Sequence, residues 1–293
     1  MSGLMHSQSA ASAQSLPPSK LAQARSFLFV PGNRPERFAK ALASGADAVI
    51  IDLEDAVPLD AKATARDALL AAWSGFDAAE RARLLVRVNP AGTPWHEADL
   101  AALGGLLELG ALMLPKAENP QQVEHAFMAS GVPVLPLIES AEGVGQLDAI
   151  ARAQGVLRLG LGHIDLQADL GMRCGPDEAE LSPIRLAMVV ASRRANLPAP
   201  VDGVTTATTD ADVLAHDAQR SRRFGFGAKL CIHPAQVAGV HQALAPTEAE
   251  CAWAERVLAA EAQARGGAFS VDGKMVDPPV LLLARQILQT PRA

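Results

Sequence analysis

The sequence predicts a (β/α)8 TIM barrel with a C-terminal helical extension. Apolar runs rich in Val, Ile and Leu alternate with helix-forming segments at roughly 25–30-residue intervals, the length of one strand-plus-crossover unit. Eight such runs can be counted, enough to close a barrel. Their hydrophobicity is nearly continuous, as expected of parallel strands buried on both faces. The first run lacks the glycine-rich nucleotide fingerprint that would favour the main alternative, a doubly wound open sheet.

The predicted strands are Ser26–Val30, Ala48–Leu53, Leu84–Asn89, Ala111–Pro115, Val132–Ile138, Leu157–Gly162, Val201–Val204 and Ala228–Ile232. Pro35 opens a helix whose Phe38 and Leu42 share a face, and Gly45 ends it. Thr247 and Glu250 have capping-box spacing before a segment with Trp253 and Val257 on one face, which is expected to end at Gly266-Gly267. Residues 1–24, rich in Ser, Ala and Gln, read as a flexible tail without the apolar block of a signal peptide. Residues 25–245 form the barrel. Residues 246–293 exceed what eight repeats need and form an extension of the kind that covers an active site or a neighbouring subunit.

Composition narrows the function classes. A 49% hydrophobic and 20% charged chain describes a folded protein rather than a disordered one. A net charge of −6 argues against a general nucleic-acid or anionic-membrane surface, though not against a local basic pocket. Cys174, Cys231 and Cys251 are odd in number and widely spaced, so they make neither a disulfide framework nor a zinc cluster, and they fit a reducing cytoplasm. No apolar run reaches transmembrane length.

The chemistry-bearing residues sit at strand ends. Glu139 closes the fifth run and Asp165 follows the sixth. Successive parallel strands end on one face, where a Glu and an Asp can share a hard cation such as Mg2+. The competing reading is that each acid caps the next helix. After the first run, Arg34, Lys40 and the backbone amides of a helix start would make an anion site, unless both cations are solvated. Asp52 and Glu54 point the same way in an extended chain, so at least one can orient a cation or its waters.

Alternation puts Arg87 and Asn89 on the barrel interior, where Arg87 grips either a substrate carboxylate or, internally, Glu54 or Asp55. Lys116 as a Schiff-base lysine is disfavoured by a metal site, and His233 reads as structural. The chain has no G-x-S-x-G elbow, Walker A loop, paired-His zinc helix or tyrosine.

Taken in order and spacing, FVPGNR (29–34), DLEDAV (52–57), RVN (87–89), LPK (114–116), IES (138–140), GHIDLQADLG (162–171), IHP (232–234) and GAFSVDGKMVDPP (267–279) resemble the CoA-ester lyases related to the citrate lyase β subunit, in the HpcH/HpaI aldolase superfamily. The resemblance runs from about Arg25 to Leu288. It implies a TIM barrel, forming a homotrimer or hexamer, that cleaves or forms a C–C bond in a 3-hydroxyacyl-CoA. By motif match, Glu139 and Asp165 hold Mg2+, Arg87 grips the keto-acid carboxylate, and Phe29, Arg34 and Lys40 contact CoA. Asp277 matches an acid that the C-terminal segment supplies, often to a neighbouring subunit's site, for proton transfer at the acyl-CoA enolate.

The resemblance leaves rivals: a CoA-independent metal-dependent aldolase, a malyl-CoA-type thioesterase, and a carrier-thioester-binding subunit of a lyase complex. The acyl group is not legible, because methyl-scale discrimination is worth only ~1–3 kcal/mol. One departure stands out. Some relatives carry an acid immediately before the metal Asp, whereas His163-Ile164 precedes Asp165 here.

Overall fold

In the computed structural model, which describes residues 20–264 and 269–292, the strands close into a barrel. They are β1 (Ser26–Pro31), β2 (Ala48–Asp52), β3 (Leu84–Arg87), β4 (Ala111–Leu114), β5 (Val134–Ile138), β6 (Gly160–Leu161), β7 (Val201–Asp202) and β8 (Ala228–Cys231). Neighbours pair in parallel throughout, and β8 pairs back to β1. The eight-stranded TIM barrel is therefore the observed fold.

Period-two alternation divides the apolar residues between two layers. Phe27, Ile50, Leu85, Met113, Leu135, Leu137 and Leu230 fill the barrel interior. Leu28, Val49, Ile51, Val86 and Leu112 face the outer helices. Most strands stop one or two residues short of their apolar runs, and two are cut to a pair of residues. β6 keeps only Gly160–Leu161, and β7 only Val201–Asp202.

The helix expected at Pro35 starts as a 3-10 turn over Pro35–Arg37 and continues as Phe38–Leu42, with Phe38 and Leu42 buried. Gly45 follows at φ +84°, a left-handed conformation that glycine adopts without strain. Lys20–Gln23 form a helical turn, and the fully buried Leu21 joins the interior cluster, so the packed chain begins before Arg25. Residues 1–19 of the expected tail lie outside the described residues.

Beyond the barrel, Thr247 and Glu250 form the expected capping box on helix Glu248–Gln263, with Val257 buried. The predicted end of that helix at Gly266-Gly267 lies outside the described residues. A hairpin of β9 (Phe269–Val271) and β10 (Lys274–Val276) leads into helix Pro278–Gln289. Ala254, Val257, Val276 and Ala284 give this extension a hydrophobic cluster of its own. Among the described residues no helix is long and apolar enough to cross a membrane.

Candidate active site

The interior alternation that buries Phe27, Ile50, Leu85 and Leu137 carries on to the strand ends. There it delivers Phe29, Asp52, Arg87 and Glu139 to one face of the barrel. A cavity of about 430 Å3 opens there, lined by these four residues together with Asp165, His163 and Ile164. A larger groove of about 1100 Å3 runs past Arg222, Glu250 and Trp253. Arg222 and Glu250 on its wall pair with each other at 2.8 Å.

Arg87 is the hub. Its Nε and Nη2 donate to the two Asp52 oxygens at 2.7 and 2.6 Å. Nη1 lies 2.9 Å from Glu54 Oε2 and 3.5 Å from Asp55 Oδ2, and the guanidinium stacks 4.8 Å from the Phe29 ring centroid. Burial works against its charge, but Asp52, Glu54 and Asp55 hold it firmly protonated. The internal ion-pair reading of Arg87 thus describes the structure, with Asp52 rather than Glu54 or Asp55 as the bidentate partner. Asn89 does not share the interior face. β3 ends at Arg87, and Asn89 turns instead to Asp99, donating from its backbone at 3.0 Å and its side chain at 2.7 Å.

The carboxylates around Arg87 are less well satisfied. Glu54 is buried, and neither of its oxygens receives a hydrogen bond; Arg87 Nη1 is near Oε2 without its N–H aimed there. Glu139 is buried, accepting only the Lys116 N–H at 2.9 Å. Lys116 adopts φ +48° to make that bond, a left-handed conformation that costs of order 1–3 kcal/mol for a side-chain-bearing residue. Its ammonium stands 3.5 Å from Glu54 Oε1 and 3.9 Å from Asp165 Oδ1.

Burial, reinforced by Glu54 and Asp165, pushes the Glu139 carboxyl up to about 8. Burial likewise pushes Glu54 up to about 7 despite Arg87 beside it. Neither proposed metal ligand caps a helix. Ser140 caps Ala141–Gly145, and Asp165 lies in the first turn of His163–Asp169, whose N-terminal residue Gly162 makes no side-chain cap. Glu139 and Asp165, with the two Glu54 oxygens that receive no hydrogen bond among the described residues beside them, make a set of carboxylate oxygens that suits a hard divalent cation, which prefers oxygen donors.

The profile of the HpcH/HpaI aldolase/citrate lyase family matches residues 25–234, the span that builds this barrel and its mouth. The chain belongs to that family. A citrate lyase subunit beta-like protein of Deinococcus radiodurans is 40% identical over 275 residues, covering 90% of this chain and 96% of the relative. A (3S)-malyl-CoA thioesterase of Cereibacter sphaeroides is 35% identical over 268 residues, covering 90% and 93%. The crystal structure of CitE from Mycobacterium tuberculosis in complex with magnesium, acetoacetate and coenzyme A superposes with a TM-score of 0.81 at 37% identity, covering 92% of this chain and 98% of that one.

The remaining residues expected from the HpcH/HpaI resemblance stand apart. Phe29 points into the barrel beneath Arg87, whereas Arg34 and Lys40 are exposed. Arg34 Nε donates to Glu36 Oε1 at 2.5 Å. Among the described residues, no hydrogen bond or ring contact joins Phe29 to either cation. Asp277 caps helix Pro278–Gln289 by accepting the Val280 N–H at 3.3 Å, and no described residue of the extension lines the chain's own cavity. His233 is exposed; its Nδ1 accepts the Ala235 N–H at 3.2 Å, and its backbone N–H donates to Gln236.

Sequence reasoning missed what surrounds the departure at His163. The imidazole is buried, with Nε2 3.4 Å from Glu178 Oε1. Arg185 and Arg220 also bind Glu178, and Arg185 reaches Asp202 at 3.4 Å. Burial works against the Glu178 charge, but His163, Arg185 and Arg220 hold its carboxyl well below the ordinary range. A side chain at 203 would collide with the imidazole, which makes Gly203 the one available signal.

Proposed function

We propose that this protein is a Mg2+-dependent carbon–carbon lyase. It cleaves, or in reverse forms, a 3-hydroxyacyl-CoA such as malyl-, citramalyl- or citryl-CoA, giving an acyl-CoA and a keto acid. One observation carries the reading: two buried carboxylates, Glu139 with its carboxyl pushed up to about 8 and Glu54 with no hydrogen bond to either oxygen among the described residues, stand at the barrel mouth beside a guanidinium already fixed by Asp52.

Glu139 and Asp165 would hold the ion, with Glu54 behind them. Once bound, Mg2+ polarises the 3-hydroxyl and adjacent carboxylate, lowering the hydroxyl pKa and stabilising the incipient ketone. Asp52 takes Nε and Nη2 of Arg87 and Nη1 leans on Glu54 and Asp55, so a keto-acid carboxylate would take up the N–H groups of Nη1 and Nη2 left over, displacing the half-exposed Asp55. Phe29 beneath it keeps water from that end of the cavity.

Arg34 and Lys40, exposed beyond the first strand, serve the anionic end of CoA. Asp277 moves the proton at the acyl α-carbon. It is absent from its own chain's cavity lining, which favours donation by the 246–293 extension to a second copy in a homotrimer or hexamer. The free cysteines favour a cytoplasmic setting.

Hydrolysis of the thioester is the second reading, favoured by the (3S)-malyl-CoA thioesterases among the relatives. Incubating each ester with protein and Mg2+ separates the two. Keto acid and acyl-CoA released together support the lyase; free CoA thiol and the intact hydroxy acid support the thioesterase. No turnover of any of the three esters counts against both.

A further inference from the structure

We propose that His96, Glu97 and His125 form a Zn2+ site on the outside of the barrel, separate from the carboxylates at its mouth. One ligand atom from each residue lies within 4.8 Å of the other two. His96 begins helix His96–Leu103 and is buried, with Nδ1 2.7 Å from the Asn89 carbonyl oxygen. A carbonyl only accepts, so Nδ1 carries the proton and Nε2 keeps its lone pair. Metal-binding imidazoles are oriented in this way, with the far nitrogen donating to a carbonyl or carboxylate. Among the described residues no hydrogen bond engages His96 Nε2. Its orientation is set from behind: Asn89 donates twice to Asp99, and Asp99 pairs with Arg66 at 3.0 Å.

The other two donors come from exposed, adjustable side chains. His125, on helix Pro120–Ser130, brings Nε2 to 3.0 and 3.2 Å from the two Glu97 oxygens. A proton on Nε2 holds that contact, and a metal ion takes the proton's place between the same atoms. These separations are close to the ligand–ligand edge of a tetrahedral zinc site, about 3.3 Å for bonds of 2.0–2.1 Å. The two imidazole centroids are 6.4 Å apart, wider than the roughly 5 Å of two imidazoles on one tetrahedral ion, so the exposed His125 has to swing toward His96 for both to bind it. The positive end of helix His96–Leu103 opposes a cation, and the Glu97 charge offsets it.

Donor chemistry sorts the two sites. Imidazole favours Zn2+ over Mg2+, whereas an all-oxygen set suits Mg2+. Two histidines and a carboxylate leave a fourth position for water. A bound ion would clamp the two helices together and, through His96 and Asn89, steady the loop that follows Arg87.

The test is calorimetric titration of Zn2+ into the full chain under excess Mg2+, using wild type, His125→Ala, Glu97→Gln and Glu139→Ala. Co2+ in place of Zn2+ gives a visible spectrum that reports nitrogen ligation. The proposal expects one Zn2+ per chain in wild type and in Glu139→Ala, with a rise in Tm and a four-coordinate Co2+ spectrum. In His125→Ala it expects affinity lower by more than the ~10–100-fold that loss of an outer-shell partner costs. His125 and Glu97 are exposed, so their variants should keep the wild-type circular dichroism, and the Glu97→Gln result stands if His125→Ala does not fold. Equal binding by wild type, His125→Ala and Glu97→Gln, loss of binding in Glu139→Ala, or no Zn2+ binding at all would overturn it. None of these outcomes depends on whether the protein is a lyase.

Discussion

Asp52 and Arg87, register partners on β2 and β3, share two parallel hydrogen bonds of 2.7 and 2.6 Å in the buried mouth of the barrel. Each strand presents its last inward position to the other, so the pair is fixed by backbone register. Removing Asp52 leaves Arg87 with Glu54 and Asp55 alone beside it. Asp52→Ala is therefore expected to cost less in urea denaturation than the ~3–5 kcal/mol of an uncompensated buried charge, and to raise KM for the substrate by releasing the guanidinium. Arg87→Lys keeps the charge but loses the fork, so it should lower kcat/KM with a smaller loss of stability.

The pH dependence follows from Glu139 and Glu54, pushed up to about 8 and about 7 from an ordinary 4.5. Both folded values lie above the unfolded one, so the folded state binds more protons between them. Stability is fully present below about pH 4.5 and is lost as pH rises through 7 and 8. The loss is on the order of a few kcal/mol for the coupled pair. Thermal melts without metal should show Tm falling over that window, and Mg2+ should restore it most at the alkaline end, where both carboxylates are charged. A Tm that is flat across the window would count against the buried-carboxylate account.

Gly162 stands against Glu139, and an added Cβ would collide with the carboxylate. Gly162 has φ −101°, so the backbone tolerates alanine and the effect is steric. Gly162→Ala should weaken Mg2+ binding by roughly 10–100-fold, as outer-shell changes do, with fold retained by circular dichroism. Unchanged Mg2+ affinity by calorimetry would contradict the assignment of Glu139.

Asp277 offers a test of subunit sharing. Asp277→Asn should bind Mg2+ normally yet lose turnover. Co-refolding Asp277→Asn with Glu139→Ala should then restore part of the activity, because mixed oligomers pair an intact mouth with an intact extension. Mixtures as inactive as the single variants would place both residues in one chain's site.

The barrel was legible because each strand is an apolar run bounded by turn residues, as in Val132–Ile138 ahead of Glu139. Alternation then carried Arg87 inward, and the shared face of successive strand ends placed Glu139, without any three-dimensional information. It failed at Asn89 because β3 stops at Arg87, and strand ends are set by pairing that a single sequence does not reveal. Asp52 as the partner of Arg87 needed the β2–β3 register. Glu178 lies in an irregular segment beyond helix His163–Asp169, where no periodic pattern ties it to His163.

The central claim is that the Glu139 carboxylate holds the ion on which carbon–carbon cleavage depends. The most direct measurement is initial-rate keto-acid release from the best of the three esters against Mg2+ concentration, for wild type and Glu139→Gln. The account predicts saturable Mg2+ activation in wild type, abolition by chelation, and an activity in Glu139→Gln reduced by several orders of magnitude at any Mg2+ level. Cleavage that survives both chelation and Glu139→Gln would contradict it.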